Sequence, residues 1–436
     1  MRIGGRLAAA IEILGDLDAR HRPAAEALKD WGNAHRFAGS ADRAAIGNLV
    51  FDALRQRRSL AWRMRNDTPR ALVLGVFAHL WGETADTLAA ALADDPHAPE
   101  GLNDGEREAL ARGSLDGAPG AVRADVPDWI WPQFEAAFGA GAVAQGQALA
   151  RRAPLDLRAN RLKADQAKVI KALARFRAGA APLSPDGVRI EVPPAGTRAP
   201  NVQAEAAFAK GWFEVQDSGS QVAARLTGAI AGMQVADICA GAGGKTLALS
   251  AAMENKGQIH AYDADRFRLK NIFDRLKRAG TRNVQVLAAG DEAALGALSD
   301  RCDVVLVDAP CSGSGTWRRR PDAKWRLSAQ AIEQRIAEQD MVLDLAAPLV
   351  APGGRITYVT CSLLGAENSA RVAAFTARNP DFAPAPFGAA AAGLVPAGDG
   401  WKGFVNHDFS SETSVQLTPL NDSTDGFFIA NLQRMK

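Results

Sequence analysis

The pattern of apolar and polar positions changes character twice along the chain. Over the first hundred or so residues it has the period of a helix. Ile46, Leu49, Val50, Ala53 and Leu54 recur at i, i+3, i+4, i+7 and i+8, one face of a helix. Ser40 stands where it can cap that helix, and Asp42 falls in its first turn, where the peptide dipole favours a carboxylate. A second amphipathic helix is expected over 71–81. Pro96, Pro99, Gly101, Gly105, Gly117, Pro119 and Gly120 then predict loops. Another helix opens after Pro127, with Trp129, Trp131, Phe134 and Phe138 on or near one face.

Residues 151–163 read RRAPLDLRANRLK, five basic residues and one acid. Leu155, Leu157 and Ala159 alternate there, as do Val188, Ile190 and Val192 further on, so short strands are expected. From Trp212 onward, apolar runs of strand length alternate with helical ones. Strands are expected at 234–239, 258–263, 284–288, 303–308 and 355–360. Such alternation argues a parallel sheet with helices on both faces. Two closing strands, 415–420 and 426–432, have no long helix between them, which suggests an antiparallel edge. The predicted fold class is α/β. A Rossmann-like domain over 213–436 follows an all-α domain over 1–140 and a small α/β (RRM-like) connector over 146–212.

Composition narrows the function classes. Of 436 residues, 47% are hydrophobic and 23% charged, the balance of a globular chain with ample core material rather than a disordered one. No apolar run reaches 18 residues, and Glu12 and Asp16 break any signal-peptide core behind Arg2 and Arg6. No membrane contact is expected, and the expected location is cytoplasmic. The four cysteines, Cys239, Cys302, Cys311 and Cys361, form no CxxC pair, so neither a metal cage nor a disulfide framework is expected.

The candidate chemistry lies at strand ends. The first strand of the alternating region runs into Cys239-Ala240-Gly241-Ala242-Gly243-Gly244-Lys245-Thr246. A Walker P-loop would need glycine at 239, and a dinucleotide fingerprint starting at Gly241 would need it at 246; both fail. Adenosylmethionine remains, with its methionine part against the loop. Asp263 follows the second strand, 22 residues after Gly241, where an acid can accept both ribose hydroxyls. Asp291 follows the third strand, within reach of adenine. Asp308-Ala-Pro-Cys311-Ser and Thr360-Cys361-Ser end the fourth and fifth strands. Cys302 precedes a strand and Cys239 lies inside one, as buried inert thiols would.

Amine methylation needs no thiol, and the [N/D]PP[F/Y] tetrapeptide of amino methylases is absent. Carbon methylation of a pyrimidine does need one. A thiolate adding to C6 makes C5 of cytosine nucleophilic, a second group accepts the C5 proton, and an acid near N3 stabilises the addition. Cys361, Cys311 and Asp308 are available for these three parts.

At this point the chain resembles the Sun (Fmu/RsmB) family of RNA 5-methylcytosine methyltransferases. The stretches that carry the resemblance are RRAPLDLRANRLK, FEVQDSGSQ, DICAGAGGKT, AYDAD, VVLVDAPCSGSGTWRRRPDAKWR, GGRITYVTCSLLGAEN and DGFFIANL. It implies Cys361 as nucleophile and Cys311 as the aid to proton loss and product release. It implies S-adenosylmethionine and base held by Cys239, Ala240, Gly241, Ala242, Gly243, Gly244 and Lys245, with Asp263, Arg268, Asp291 and Asp308. The implied substrate is bacterial 16S ribosomal RNA, with no oligomer required. Transfer RNA or 23S RNA, or a non-catalytic ribosome-assembly role, are the alternatives. Gly241-Ala242 replaces the family's Ala-Pro and removes the ring that would fix this turn. SADRAAIGNLVFDALRQRRSL resembles, more distantly, the NusB-like RNA-binding domain of bacterial relatives.

Net charge is only +2, but two clusters are basic: 151–163, and 316–326 with Arg318, Arg319, Arg320, Lys324 and Arg326. Trp317 and Trp325 interleave with the second cluster and are expected to stack on splayed bases at the mouth of the site. Arg55, Arg57 and Arg58 are either solvated helix-end cations or a further RNA contact.

Overall fold

The helical periodicity of the first hundred residues comes from one apolar core. In the computed structural model, which describes residues 1–93, 95–194, 196–197, 200–392, 394 and 410–436, the chain forms two units. The first unit takes Met1–Ala153, Val192–Pro200 and Thr316–Leu327. Its helices Ile3–Arg20, Ser40–Arg55 and Pro69–Gly75 bury Leu7, Leu14, Ile46, Leu49 and Leu72 together.

Ser40 is not the cap. It is the first helical residue, with Gly39 before it. The Asp42 carboxylate reaches back to accept the Gly39 N–H at 3.2 Å, and Arg6 Nε donates to its other oxygen at 2.9 Å. Nor is 96–120 all loop. Helix Asp104–Arg112 lies within it, opened by a reciprocal pair: Glu106 N–H donates to Asn103 Oδ1 at 2.8 Å and Asn103 N–H to Glu106 Oε2 at 3.1 Å. This capping box outweighs Gly105 in the first turn.

The segment Thr316–Leu327 belongs to this helical unit, and its aromatic residues are structural. Trp317 is 1% exposed and stacked on Phe134, with centroids 6.3 Å apart. Helix Ser40–Arg55 ends in carbonyls with no partner of their own. Trp325 Nε1 donates to Leu54 O at 2.7 Å and Lys324 Nζ to Arg55 O at 3.1 Å, so this segment caps the helix. Burial lowers the Lys324 amine to about 8, against the pull of Asp125, and raises the buried Asp125 carboxyl to about 6. Base stacking by Trp317 is thereby excluded; Arg320 and Arg326 are the exposed cations of the cluster. Arg57 pairs with Asp18 at 2.7 Å and Arg58 with Asp128.

The second unit takes Pro154–Glu191, Asn201–Gly315 and Ser328–Lys436. Its smaller sheet is antiparallel, with strands β1 (Leu155–Ala159), β2 (Gly179–Ala180), β3 (Gly187–Ile190) and β4 (Phe213–Val215) in the order β2-β3-β1-β4. The last strand comes from beyond residue 212. The basic stretch does not present one cationic face here. Arg158 is buried and donates to Gln216 Oε1 at 2.7 Å, while Arg161 and Lys163 are exposed.

The larger sheet follows the alternation that the sequence shows. Its strands are β5 (Gln234–Asp237), β6 (Gln258–Ala261), β7 (Val284–Val286), β8 (Cys302–Asp308), β9 (Val350–Thr360), β10 (Phe382–Pro384), β11 (Ser414–Leu417) and β12 (Phe427–Arg434). The order is β10-β12-β9-β8-β5-β6-β7, with β11 also on β12. Strands β5 to β9 pair in parallel, and β12 returns antiparallel to β9, the expected edge. Helices Ser218–Leu226 and Gly244–Ala252 cover one face, Ala329–Ala346 and Ser369–Arg378 the other, so Val304 to Val307 are fully buried. This is a Rossmann-like arrangement. Strand order reverses about β5, and ligands of such sheets bind outside the carboxyl ends at that point. No helix among the described residues is long and apolar enough to cross a membrane.

Because Trp317 fills a core, Trp317→Ala should lower the unfolding free energy by about 3–5 kcal/mol, measured by chemical denaturation. A variant of unchanged stability with weakened RNA binding would restore the stacking role.

Candidate active site

The glycine loop joins β5 to helix Gly244–Ala252. Cys239 lies in this loop, two residues past β5 rather than inside it. Two residues turn left-handed, Gly241 at φ +51° and Gly243 at φ +82°. A Cβ at Gly243 would stand 2.6 Å from Ile272 Cγ1, so no larger side chain fits. The missing proline is replaced by hydrogen bonds. Gly243 N–H donates to Ala240 O at 2.8 Å, Arg275 Nη1 to Ala242 O at 2.8 Å, and Gly241 N–H to Asp263 Oδ2 at 2.8 Å.

Asp263 is therefore brought to the loop, two residues past β6. Arg268 comes with it, its Nη1 3.6 Å from Asp263 Oδ2. Asp291 is used locally: its Oδ1 accepts the Ala294 N–H at 2.9 Å and caps helix Glu292–Gly296. Lys245 reaches across to Asp308, Nζ to Oδ2 at 2.6 Å, with its ammonium 5.3 Å from the Phe427 ring centroid. Asp308 ends β8 and keeps a third of its side chain in solvent.

The two cysteines meet. Cys311 Sγ and Cys361 Sγ are 3.4 Å apart, at the ends of neighbouring parallel strands β8 and β9. Backbone contacts hold the loops together. Gly315 N–H donates to Cys361 O at 3.0 Å and Gly426 N–H to Gly315 O at 2.8 Å. A Cβ on Gly315 would lie 2.2 Å from Gly426 O, which explains the glycine. The Cys311 thiol is held well above the ordinary thiol range, first by its hydrogen bond with Cys361 and then by burial. Burial likewise raises Cys239, and Cys302 to about 11; these two stay thiols. Among the described residues no group of acids, histidines and cysteines could hold a metal.

Asp237, Ser312, Ser362, Gln339 and Glu367 belong to this edge and were not singled out by sequence. Asp237 sits 1% exposed at the end of β5 and accepts the Thr246 hydroxyl at 2.6 Å. The others form a polar cluster beside the two thiols, with Ser362, Gln339 and Glu367 buried and Ser312 half-buried. The signal was in the motifs, in the serine after each cysteine and in the glutamate six residues beyond Cys361.

The family described as 16S rRNA methyltransferase RsmB/F matches residues 230–433, and its ferredoxin-like domain matches 126–195. Ribosomal RNA small subunit methyltransferase B of Citrobacter koseri is 30% identical over 418 residues, 90% of each chain. The chain belongs to the RsmB/F family of RNA methyltransferases. A further RsmB relative, the "Probable ribosomal RNA small subunit methyltransferase B" of Synechocystis, is 32% identical over 315 residues, 71% of this chain and 66% of that one. The solved structure titled PH0851 superposes on this RsmB/F chain with a TM-score of 0.73 at 24% identity, covering 100% of both chains, a likeness of fold.

Burial pushes the Asp237 carboxyl up to about 7, against the Thr246 hydrogen bond and with the charge of Asp308 adding. Between about pH 4 and 7 the folded state thus holds a proton that the unfolded chain has already released. The stability that Asp237 contributes is whole below that window and is lost as pH rises through 7. Between pH 5 and 7.5 the wild type should lose about 2 kcal/mol relative to Asp237→Asn, measured by denaturant titration. Parallel pH dependences would mean that Asp237 is ionised throughout.

Proposed function

We propose that this chain transfers a methyl group from S-adenosylmethionine to C5 of a cytosine in 16S ribosomal RNA, through a covalent bond between Cys361 and C6. The approach of the two strand-end thiols to 3.4 Å carries this reading. Direct methylation of an amine lone pair has no use for such a pair. The relatives named for the ribosomal small subunit support the substrate.

The glycine loop suits the cofactor. A Cβ at Gly241 would stand 3.4 Å from Arg268 Nη2 and 3.8 Å from Asp263 Oδ2, so loop, guanidinium and carboxylate lie together where the nucleoside is proposed to bind. Residues 239–245, Asp263 and Arg268 would hold S-adenosylmethionine, with Asp291 on the adenine side. Bound there, it supplies an electrophilic methyl group. The chain's own residues do the rest. Cys361, as thiolate, forms the bond to C6, and the C5–C6 electron pair becomes nucleophilic at C5. The Lys245–Asp308 pair supplies the proton or hydrogen bond at N3 that this addition requires. After C5 has gained the methyl group, Cys311, its own proton lost to water, takes the proton from C5. The C6–sulfur bond then breaks, Cys361 leaves as thiolate, and the N3 proton returns. The target cytosine must leave its stack to reach the thiols. We read the helical unit as the part that holds the surrounding RNA, in keeping with its distant resemblance to NusB.

Cys361→Ala should lower methyl transfer by at least about a hundredfold. Cys311→Ala should accumulate a covalent protein–RNA species on a denaturing gel, because the adduct forms but is not released. Bisulfite sequencing of RNA from a strain lacking the gene should show one 16S cytosine losing protection. Loss in transfer RNA or 23S RNA would move the substrate, and full activity in Cys361→Ala would overturn the mechanism.

A further inference from the structure

Behind the two thiols lies a carboxylate that no step above uses. Glu367 is 0% exposed, in the turn Gly365–Glu367 that follows β9. Its Oε1 accepts the Ser312 N–H at 2.8 Å and Gln339 Nε2 at 3.0 Å. Its Oε2 accepts the hydroxyls of both Ser312 and Ser362. Ser312 follows Cys311 and Ser362 follows Cys361. One buried side chain therefore grips the residue next to each thiol.

A buried carboxylate is a costly way to fill a turn, and an apolar side chain of similar size is often as stable. The backbone already ties the loops at Gly315, but that bond lies four residues beyond Cys311. Glu367 acts on the position adjacent to each sulfur. Four neutral donors meet its two oxygens, so the carboxylate is satisfied and its place is fixed. We propose that Glu367 is the positioning residue that sets Cys311 against Cys361, so that nucleophile and proton acceptor meet the same base. This rests on the roles given to the two thiols above. The charge of Glu367 adds to the forces holding Cys311 protonated, after the Cys361 hydrogen bond, burial and the Cys361 charge.

Two substitutions separate position from bulk. In Glu367→Gln the amide oxygen can keep the Ser312 N–H and Gln339, while the amide N–H groups donate to hydroxyls that turn to accept. In Glu367→Ala the four bonds to the carboxylate are gone, and the hydroxyl contacts of Ser362 with Ser312 at 3.3 Å and Ser314 at 3.1 Å are left. Phenylarsine oxide reads the distance directly: one arsenic bonds two neighbouring thiols and releases one water. Capture is scored by protection of Cys311 and Cys361 from alkylation, mapped on their peptides. Wild type and Glu367→Gln should be captured alike, and Glu367→Ala at least about tenfold more weakly, since the second thiol is no longer held beside the first. In methyl transfer, Glu367→Ala should lose about a hundredfold in kcat, the scale expected of a misplaced reacting group. Its KM for S-adenosylmethionine should stay near wild type, because the glycine loop and Asp263 are untouched, and Glu367→Gln should stay close to wild type throughout. Undiminished capture by Glu367→Ala, or equal damage from Gln and Ala, overturns the proposal. If Glu367→Ala does not fold, the double variant Ser312→Ala, Ser362→Ala removes both hydroxyl donors. The same weakened capture is then expected, and full capture overturns the proposal. Capture does not depend on which thiol attacks. An active Cys361→Ala enzyme whose parent still needs Glu367 for capture would sink the thiol roles alone.

Discussion

The parallel pairing of β8 with β9 is the constraint on which the site depends. Register sets Asp308 beside Val359, so both strands end at one level of the sheet. Any residue that follows each strand then arrives at the same edge, and the PCS and TCS turns converge from 50 residues apart in sequence. A slip of one residue would turn every β9 side chain to the other face. That slip is opposed on both sides, because β9 also pairs with β12 over six residue pairs. The antiparallel strand β12 thus fixes the strand that carries the proposed nucleophile. Gly315 and Gly426 complete the arrangement, since the approach of their backbones admits no side chain.

Much of this edge is held by buried polar groups rather than by apolar packing. Asp156 and Arg189 pair at 2.7 Å with neither side chain more than 2% exposed, and Asp156 also accepts the Ser218 N–H at 3.1 Å. The small sheet is fastened in this way to the first helix of the larger one. Asp237 and Glu367 are further examples within the proposed site. Low-dielectric surroundings make such groups costly when unpartnered and directional when satisfied. Directionality is what a reaction between three small groups requires, and apolar packing supplies little of it. Tolerance of volume-conserving hydrophobic swaps is accordingly expected on the covered faces of the sheet, and little tolerance at its carboxyl edge.

Sequence was most legible where a local pattern and its tertiary partner agree. The five parallel strands were read within a few residues because both-face burial imposes continuous apolar runs, as at Val304 to Val307. The glycine loop, Asp263, Asp308 and the two cysteines were legible because strand ends share an edge in any parallel sheet. Sequence was least legible where an amphipathic residue has two partners to choose from. Trp317 among arginines reads as an RNA contact, but its ring is covered by Phe134, which lies 183 residues earlier in the chain. Lys324 reads as a phosphate ligand but caps a helix. Helix Asp104–Arg112 was hidden by glycines that punctuate its surroundings, although Asn103 and Glu106 spell its start. Glu367 is a different case: its role depends on donors from three separate segments, and no window of sequence contains them.

The four cysteines show how position decides chemistry for one residue type. Cys239 is surrounded by carboxylates at Asp237, Asp263 and Asp308, and burial removes the water that would stabilise a thiolate. Cys302 is buried beside Asp303. Both are confined to the thiol. At the third and fourth positions the environment is the other thiol. A Cys311 held protonated donates toward the Cys361 sulfur, so a negative charge on Cys361 has a hydrogen bond waiting for it. Two thiolates at this distance would repel strongly, and two thiols would leave no nucleophile. In the mechanism proposed above, the Cys361 charge is gone once its sulfur bonds to carbon, and that share of what holds the proton on Cys311, after the hydrogen bond and burial, goes with it. Cys311 is then freer to ionise and become a base. The order of the two proposed steps agrees with the electrostatics of the pair.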